Sequence, residues 1–142
     1  MVTLDSLNED YSHNVTALQR VIPHSKNFSM YFIPPYEWWN SETAGWLRKM
    51  GIRPFSFTPG TTSNADYTYP EMGNSYKSSD AIMNSIKKFN ATDPHGLNGA
   101  IILIHAGTDP RRKDKLYDRL EELILYLKKE GYAIKRIDEL LK

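Results

Sequence analysis

A histidine directly follows the most apolar stretch of the chain. His105 comes after the aliphatic run 99–104 and before Ala106 and Gly107. Such a run predicts a strand buried on both faces, and α/β proteins bind ligands at the carboxyl ends of their strands. Histidine is also the side chain best suited to proton transfer near neutral pH. His105 is therefore a candidate general acid or base, and a purely structural histidine is the alternative.

A second group of chemically useful side chains lies at 34–40, with the sequence PPYEWWN. Aromatic faces stack on the C–H faces of a sugar, while carboxylate and amide groups bind its hydroxyls. Tyr36, Trp38 and Trp39 are therefore candidate sugar contacts. The alternative is that the two tryptophans pack as core under a neighbouring loop.

A long loop is predicted at 58–77, because this stretch is rich in Gly, Pro, Ser, Thr, Asn and Tyr and has no periodicity. Connections in compact domains usually have about 4–6 residues, and much longer loops are usually functional. Its Asp66 has three possible roles: orienting a histidine, binding a substrate hydroxyl, or fixing its own turn. The glycine spacing of a phosphate-binding loop is absent.

The remaining polar residues predict little chemistry. His13, His24 and His95 form neither an i, i+4 pair nor a His-x-His motif, so we predict no complete metal site in this chain. The charged run 109–114 is typical of a solvated surface at the start of a helix.

Apolar spacing predicts the elements that must position these residues. Helices are expected to begin near Ser6, Ser41 and Ser79, with the longest helix over 116–127 and a last one over 137–141. Strands are expected at 30–33, 52–57, 99–104 and 132–135, the third at the centre of the sheet. Because helices and strands alternate, the predicted class is α/β with mostly parallel strands and the helices outside.

Composition limits the class of protein. With 142 residues and 40% hydrophobic side chains, the chain is expected to form a single domain over 1–142. A net charge of +1 disfavours nucleic acid and anionic membrane surfaces as partners. No apolar run approaches the roughly 20 residues of a spanning helix, and the N-terminus lacks the features of a signal peptide. Cysteine is absent, which excludes disulfides and thiolate nucleophiles.

In chain order, several of these segments resemble one known family. They are FIPPY at 32–36, the strand entering the loop at 58–68, GAIILIH at 99–105 and the Gly131-Tyr132 pair. Together they resemble, over nearly the whole chain, the C-terminal half of polysaccharide deacetylases, the NodB-homology family of carbohydrate esterases. The resemblance implies part of a distorted (β/α) barrel and an extracytoplasmic or cell-envelope location. It also implies a divalent metal, usually zinc, that activates water to attack an acetyl group on a sugar polymer.

The resemblance also implies roles for individual residues. Pro35 and Tyr36 match the motif that forms one wall of the groove, where the tyrosine N–H holds the oxyanion. Leu103 matches the residue that lines the acetate pocket, and His105 matches the general acid. The arginine that the family places before the two prolines is Ile33 here, and the family's metal-binding motifs precede the region represented. The stretch 24–28 lacks the second histidine of such a motif.

We therefore expect a metal-dependent hydrolase that removes N- or O-acetyl groups from a carbohydrate polymer, incomplete and inactive as this isolated chain. Its exposed strand edge would be covered by a missing N-terminal half of the barrel or by a homodimer partner. One alternative is a non-catalytic carbohydrate-binding module that has lost its metal. Another is an unrelated α/β domain that binds a small molecule.

Overall fold

The computed structural model describes residues 2–22 and 31–141, which fall into two compact units, 1–56 and 57–142. The α-helices and strands are α1 (Leu4–Val21), β1 (Tyr31–Phe32), α2 (Ser41–Lys49), β2 (Arg53–Pro54), α3 (Ser79–Thr92), α4 (Leu120–Lys129) and α5 (Ile137–Leu140). Short 3-10 helices lie at Pro35–Glu37, Ser63–Tyr67, Pro70–Ser75 and Leu116–Arg119. The chain is thus mixed α/β and mostly helical, which confirms the predicted class at this coarse level. Within the described ranges, no helix has both the length and the apolarity needed to cross a bilayer.

The first helix begins one turn earlier than the sequence suggests. Thr3, not Ser6, is its N-cap: the Thr3 hydroxyl accepts from the Ser6 N–H at 3.2 Å, and the Ser6 hydroxyl accepts from the Thr3 N–H at 2.9 Å. The predicted capping box from Ser6 to Glu9 is therefore wrong. Ser6 instead supplies the second half of a box that begins at Thr3.

The two short strands pair in parallel within the first unit, as predicted. Tyr31 pairs with Arg53 and Phe32 with Pro54. The second strand is shorter than the predicted 52–57, and Pro54 has no N–H with which to extend a ladder. The predicted start of the first strand at Met30 lies outside the described residues, as do His24 and the motif at 24–28.

The helix between these strands is capped one residue before the predicted cap. The Asn40 side chain accepts from the Thr43 N–H at 2.9 Å, so Asn40 rather than Ser41 is the N-cap. The end of the helix matches the prediction, because Gly51 adopts a φ of +74°, which glycine reaches without steric cost. Leu47 and Ile52 are the buried hydrophobic residues of this unit.

The second unit contains the main hydrophobic core, built by α3, α4 and the residues that flank them. Its buried members are Ile82, Met83, Ile86, Leu97, Leu116, Leu123 and Leu127. The third helix begins as predicted, with the Ser78 hydroxyl accepting from the Ala81 N–H at 3.1 Å. This core supports both the loop 58–77 and the segment that leads to His105.

The prediction of a central strand at 99–104, buried on both faces, is wrong. The segment belongs to neither described strand, and its residues from Ala100 onward are only half-buried. A central strand needs a ladder of backbone hydrogen bonds on each side. Here the Ile101 carbonyl accepts from the Thr58 N–H at 2.8 Å, but the Ile101 N–H donates to the Thr58 side-chain hydroxyl at 2.9 Å rather than to a backbone carbonyl. The alternation remains, because Ala100, Ile102 and Ile104 pack against the core while Leu103 and His105 occupy the intervening positions.

The C-terminal elements also differ from the predictions. The helix predicted over 116–127 starts with a 3-10 turn and becomes α4 at Leu120, and α1, with 18 residues, is longer. Leu120 is 42% exposed although it was expected in the buried stripe. The stretch 132–135 forms no strand, and α5 ends at Leu140 rather than Leu141. An apolar groove of about 710 Å³ lies between α4, α5 and the segment 97–104.

Candidate functional site

His105 and Asp66 lie in direct contact in the second unit. The His105 Nδ1 atom is 2.6 Å from the Asp66 Oδ1 atom, and the His105 backbone N–H donates to Asp66 Oδ2 at 2.8 Å. The Asp66 side chain is completely buried, whereas the His105 side chain is 35% exposed. Both carboxylate oxygens thus serve one histidine, and of the three roles that the sequence leaves open for Asp66, orienting a histidine is the one that the structure supports.

This contact fixes the orientation of the imidazole. With Nδ1 hydrogen-bonded to the carboxylate, the proton on a neutral ring resides on Nδ1 and Nε2 is left for other partners. Among the described residues, no hydrogen bond engages Nε2. The Tyr67 ring meets the imidazole edge-to-face at 5.7 Å and 67°. A ring held on one edge and open on the other is the arrangement that general acid or base chemistry needs.

Local hydrogen bonds shape the loop that presents Asp66. The loop contains two short 3-10 helices rather than the irregular chain predicted, and Asp66 lies in the first of them. Before that helix, the buried Thr61 hydroxyl donates to the Thr58 carbonyl at 3.1 Å. After it, the Thr68 hydroxyl donates to the Ala65 carbonyl at 2.6 Å. Small hydroxyl side chains thus satisfy buried backbone groups on both sides of the carboxylate.

A lysine organises the loop that follows His105. The Lys115 Nζ donates to the Thr108 hydroxyl at 2.7 Å and to the carbonyls of Thr108 and Asp109 at 3.2 and 2.7 Å. Bidentate bonds from Arg111 to Asp109 hold the same loop from its outer side and lower the pKa of that carboxyl well below its usual range. The chain that follows the histidine is therefore anchored at Thr108 and Asp109.

The aromatic segment belongs to the first unit. Tyr36 and Trp38 are 82% and 83% exposed, and their rings lie 6.1 Å apart. Trp39 is 43% exposed, so the alternative that these tryptophans pack as core is not what the structure shows. Tyr36 and Glu37 adopt φ values of +58° and +55°, a conformation that costs energy for residues other than glycine and that concentrates at functional sites.

Pro35, Tyr36 and Leu103 are the residues, besides His105, to which the resemblance gives roles. Pro35 begins a 3-10 turn in which the Glu37 N–H donates to the Pro34 carbonyl and the Trp38 N–H to the Pro35 carbonyl. In the described part of the chain, no hydrogen bond engages the Tyr36 N–H. Leu103 is half-buried and lies two positions before His105, at the same phase of the alternation.

The described residues do not fit a metal centre. Within 2–22 and 31–141, no group of three or more His, Asp or Glu side chains is placed to hold a metal ion. The Asp66 carboxylate oxygens bind His105 Nδ1 and the His105 backbone N–H, so these atoms already have partners within the chain.

No family model, curated protein or solved structure matches this chain. The function proposed below therefore rests on the chemistry of the residues and on the resemblance noted in the sequence.

Arg112 is an important residue that the sequence pattern did not indicate. The charged run 109–114 was predicted to be a solvated surface, which is wrong for this residue because Arg112 is completely buried. Its guanidinium donates to the carbonyls of Thr68, Lys77 and Asp114 and to the Ser79 hydroxyl, at 2.6 to 3.0 Å. No residue-type pattern distinguishes it from its neighbours Arg111 and Lys113, since its acceptors lie 33 to 44 positions away or on the chain that follows it.

A carboxylate next to this arginine is electrostatically tuned. Partial burial alone raises the pKa of Asp114. Three contacts lower it: the Ser79 N–H donates to the carboxylate at 2.6 Å, the Tyr76 hydroxyl donates at 2.9 Å, and the Arg112 guanidinium lies 3.6 Å away. Together they outweigh the effect of burial, so the pKa of Asp114 is lowered. Burial and the contact with Asp114 raise the pKa of Tyr76. Asp114 thereby joins the start of α3 to the loop after His105.

Proposed function

We propose that this chain carries the proton-donating part of a hydrolase that removes acetyl groups from a sugar polymer, similar to the polysaccharide deacetylases. The observation that carries this proposal is the buried Asp66 carboxylate bound to Nδ1 of His105, with the opposite edge of the ring open. A buried carboxylate is costly unless it is paired, and here its partner is the residue that the resemblance marks as general acid.

The proposed chemistry follows from the orientation of the ring. When protonated, the imidazole carries a proton on Nε2, which it gives to the departing amine nitrogen as the C–N bond of the tetrahedral intermediate breaks. For an O-acetyl group, the departing alkoxide oxygen takes that proton. Acetate and the free amine or alcohol are the products. Asp66 holds the ring in place and stabilises the imidazolium form, as a carboxylate does in other histidine-based acids.

We assign sugar binding to the aromatic segment. The exposed faces of Tyr36 and Trp38 offer stacking surfaces for pyranose rings, and Trp39 adds a partly exposed third ring. The roles that the resemblance implies for Pro35, Tyr36 and Leu103 belong to the same proposal and rest on the resemblance alone.

The finer fold belongs to the same proposal. The chain would form part of a (β/α) barrel, with the apolar groove beside 97–104 covered by an N-terminal half of the barrel or by a second copy. A divalent metal, usually zinc, would activate the attacking water when bound. The described residues do not fit such a site, so its ligands would have to come from elsewhere, and an extracytoplasmic location is proposed on the resemblance alone.

The proposal is tested by acetate release. N-acetylated chito-oligosaccharides and an O-acetylated xylan are incubated with zinc and either this chain or the longest upstream-extended form that its gene encodes. We expect release by the extended form, slowed about 10²–10⁴-fold by His105→Ala and retained by His95→Ala, a control at an exposed histidine. Equal release by His105→Ala, or no release by any form, would overturn the proposal.

A second candidate is a carbohydrate-binding module without catalysis. The observation that favours it is the exposure of Tyr36 and Trp38, because a stacking surface binds sugar without any reacting group. It predicts that oligosaccharide binding, measured calorimetrically, is unchanged by EDTA and by His105→Ala but is weakened by Trp38→Ala. If Trp38→Ala leaves such binding unchanged, this candidate is excluded.

A further inference from the structure

Two hydrogen-bonded contacts join the loop 58–77 to the segment 105–112 in the second unit. The first is the contact between Asp66 and His105. The second is the bond from the Arg112 guanidinium to the Thr68 carbonyl at 2.6 Å. Thr68 lies two positions after Asp66, and Arg112 lies seven positions after His105. Arg112 therefore makes a second connection between the two segments that carry Asp66 and His105.

The guanidinium is held more tightly than a surface arginine. It is completely buried, and its acceptors besides the Thr68 carbonyl are the carbonyls of Lys77 and Asp114 and the Ser79 hydroxyl, with the Asp114 carboxylate 3.6 Å away. A planar fork with five N–H donors serves these acceptors at fixed angles, whereas the ammonium of a lysine has three donors at one point. A buried charge without such partners is strongly destabilising, so the positions of its acceptors are strongly specified.

The position of Thr68 is transmitted to Asp66 by short bonds. The Thr68 N–H and hydroxyl both donate to the Ala65 carbonyl, at 3.0 and 2.6 Å, which closes the turn that contains Asp66. The Lys77 N–H donates to the Thr68 hydroxyl at 3.1 Å, so both ends of the segment 68–77 meet at the guanidinium. A shift of Thr68 therefore shifts the carboxylate that faces His105.

We propose that Arg112 is a positioning residue for His105: by holding the Thr68 carbonyl, it keeps the Asp66 carboxylate against Nδ1 and so determines which ring nitrogen carries the proton. The inference deepens the proposed function and rests on it for its catalytic meaning. Its geometric claim can nevertheless be measured on the resting protein, without substrate.

The test is ¹⁵N NMR of the histidine rings at a pH where His105 is neutral. The wild-type chain is expected to show His105 with the proton on Nδ1. Arg112→Lys keeps the positive charge but replaces the planar guanidinium with an ammonium group. In this variant the Nε2–H tautomer of His105 should become the more populated one. Ser79→Ala is the matched control, because it removes a different acceptor of the same guanidinium and leaves the Thr68 carbonyl in place. It should keep the wild-type tautomer.

An unchanged Nδ1–H tautomer in a folded Arg112→Lys variant would overturn the inference, as would an equal change in Ser79→Ala. If Arg112→Lys does not fold, Thr68→Val decides: it removes the hydroxyl that connects Thr68 to Ala65 and Lys77, and it should shift the tautomer in the same direction. A wild-type tautomer in Thr68→Val then overturns the inference. Loss of acetate release in all forms would refute the proposed function, whereas the tautomer result would stand by itself.

Discussion

The aromatic segment 34–40 and the Asp66–His105 pair differ in exposure and in the range of the contacts that hold them. The segment is exposed, and its turn is held by hydrogen bonds between residues three positions apart, from Glu37 to Pro34 and from Trp38 to Pro35. The pair joins residues 39 positions apart, and one partner is fully buried. The aromatic rings are placed by local backbone geometry, whereas the imidazole is placed by a buried carboxylate from a distant part of the chain. We therefore propose sugar stacking for the first region and proton donation for the second.

The largest expected effect comes from removing the proton donor. His105→Ala should lower kcat for acetate release by about 10²–10⁴-fold, the usual contribution of a positioned acid. Because the substitution also leaves the buried Asp66 carboxylate without its Nδ1 partner, the free energy of unfolding should fall as well, so kcat is compared at a temperature at which circular dichroism shows the variant to be folded. A loss smaller than about tenfold would mean that another group supplies the proton.

The core of the second unit, which supports the Asp66–His105 pair, should be the next most sensitive region. Ile86 is completely buried in the core of the second unit, so Ile86→Ala should lower the free energy of unfolding by about 2–5 kcal/mol. Urea denaturation measures this change. Leu125→Ala, at a position 59% exposed on α4, is the control and should stay within about 0.5 kcal/mol of wild type. Equal effects of the two substitutions would contradict the described core.

A smaller effect is expected in the aromatic segment. Trp38→Ala should weaken oligosaccharide binding about 2- to 10-fold, from the roughly 0.5–1.5 kcal/mol of one aromatic contact. Because Trp38 is 83% exposed, the free energy of unfolding should hardly change. Calorimetric titration measures the affinity, and Tyr117→Ala serves as a control aromatic residue in the second unit. If Tyr117→Ala weakens binding and Trp38→Ala does not, the sugar surface is misassigned.

The smallest effect concerns how the free energy of unfolding depends on pH through Asp114, the carboxylate next to Arg112. The pKa of Asp114 is lower in the folded chain than in the unfolded one. Its contribution to the free energy of unfolding is therefore present above the unfolded-state pKa of about 3.9 and is lost as the pH falls through the folded-state pKa. Asp114→Asn should therefore destabilise the chain at pH 7 by less than about 1 kcal/mol, given its partial exposure. The difference from wild type should shrink below about pH 4.

Urea denaturation at pH 7 and pH 3 checks this difference, with Asp118→Asn as a matched control at an exposed carboxylate. A difference that is constant with pH would show that Asp114 acts through its shape rather than its charge.

Local signals in the sequence predicted the class, the parallel strand pair and the start of α3, because caps, glycines and apolar spacing act within a few residues. They misjudged the segment 99–104, since its aliphatic run is typical of a central strand only when neighbouring strands pair with it. Hydrogen-bonded neighbours come from elsewhere in the chain, and a run of residue types does not reveal them.

The site was predictable in part for the same reason. His105 was singled out by its position after the run, and contact with a histidine was one of three roles considered for Asp66. Their pairing across 39 positions depends on how the loop 58–77 folds over the core. Arg112 could not be identified, because its charge resembles that of its neighbours and only its distant carbonyl acceptors explain its burial.

The central claim is that Asp66 and His105 act together as one proton donor. Its most direct test is the kcat of Asp66→Asn, measured by acetate release in the longest form of the chain that is active on acetylated chito-oligosaccharides. Because the two residues act as a unit, we expect kcat to fall about 10²–10⁴-fold, with KM little changed. A folded Asp66→Asn variant with wild-type kcat, or the absence of acetate release from every form, would contradict the account.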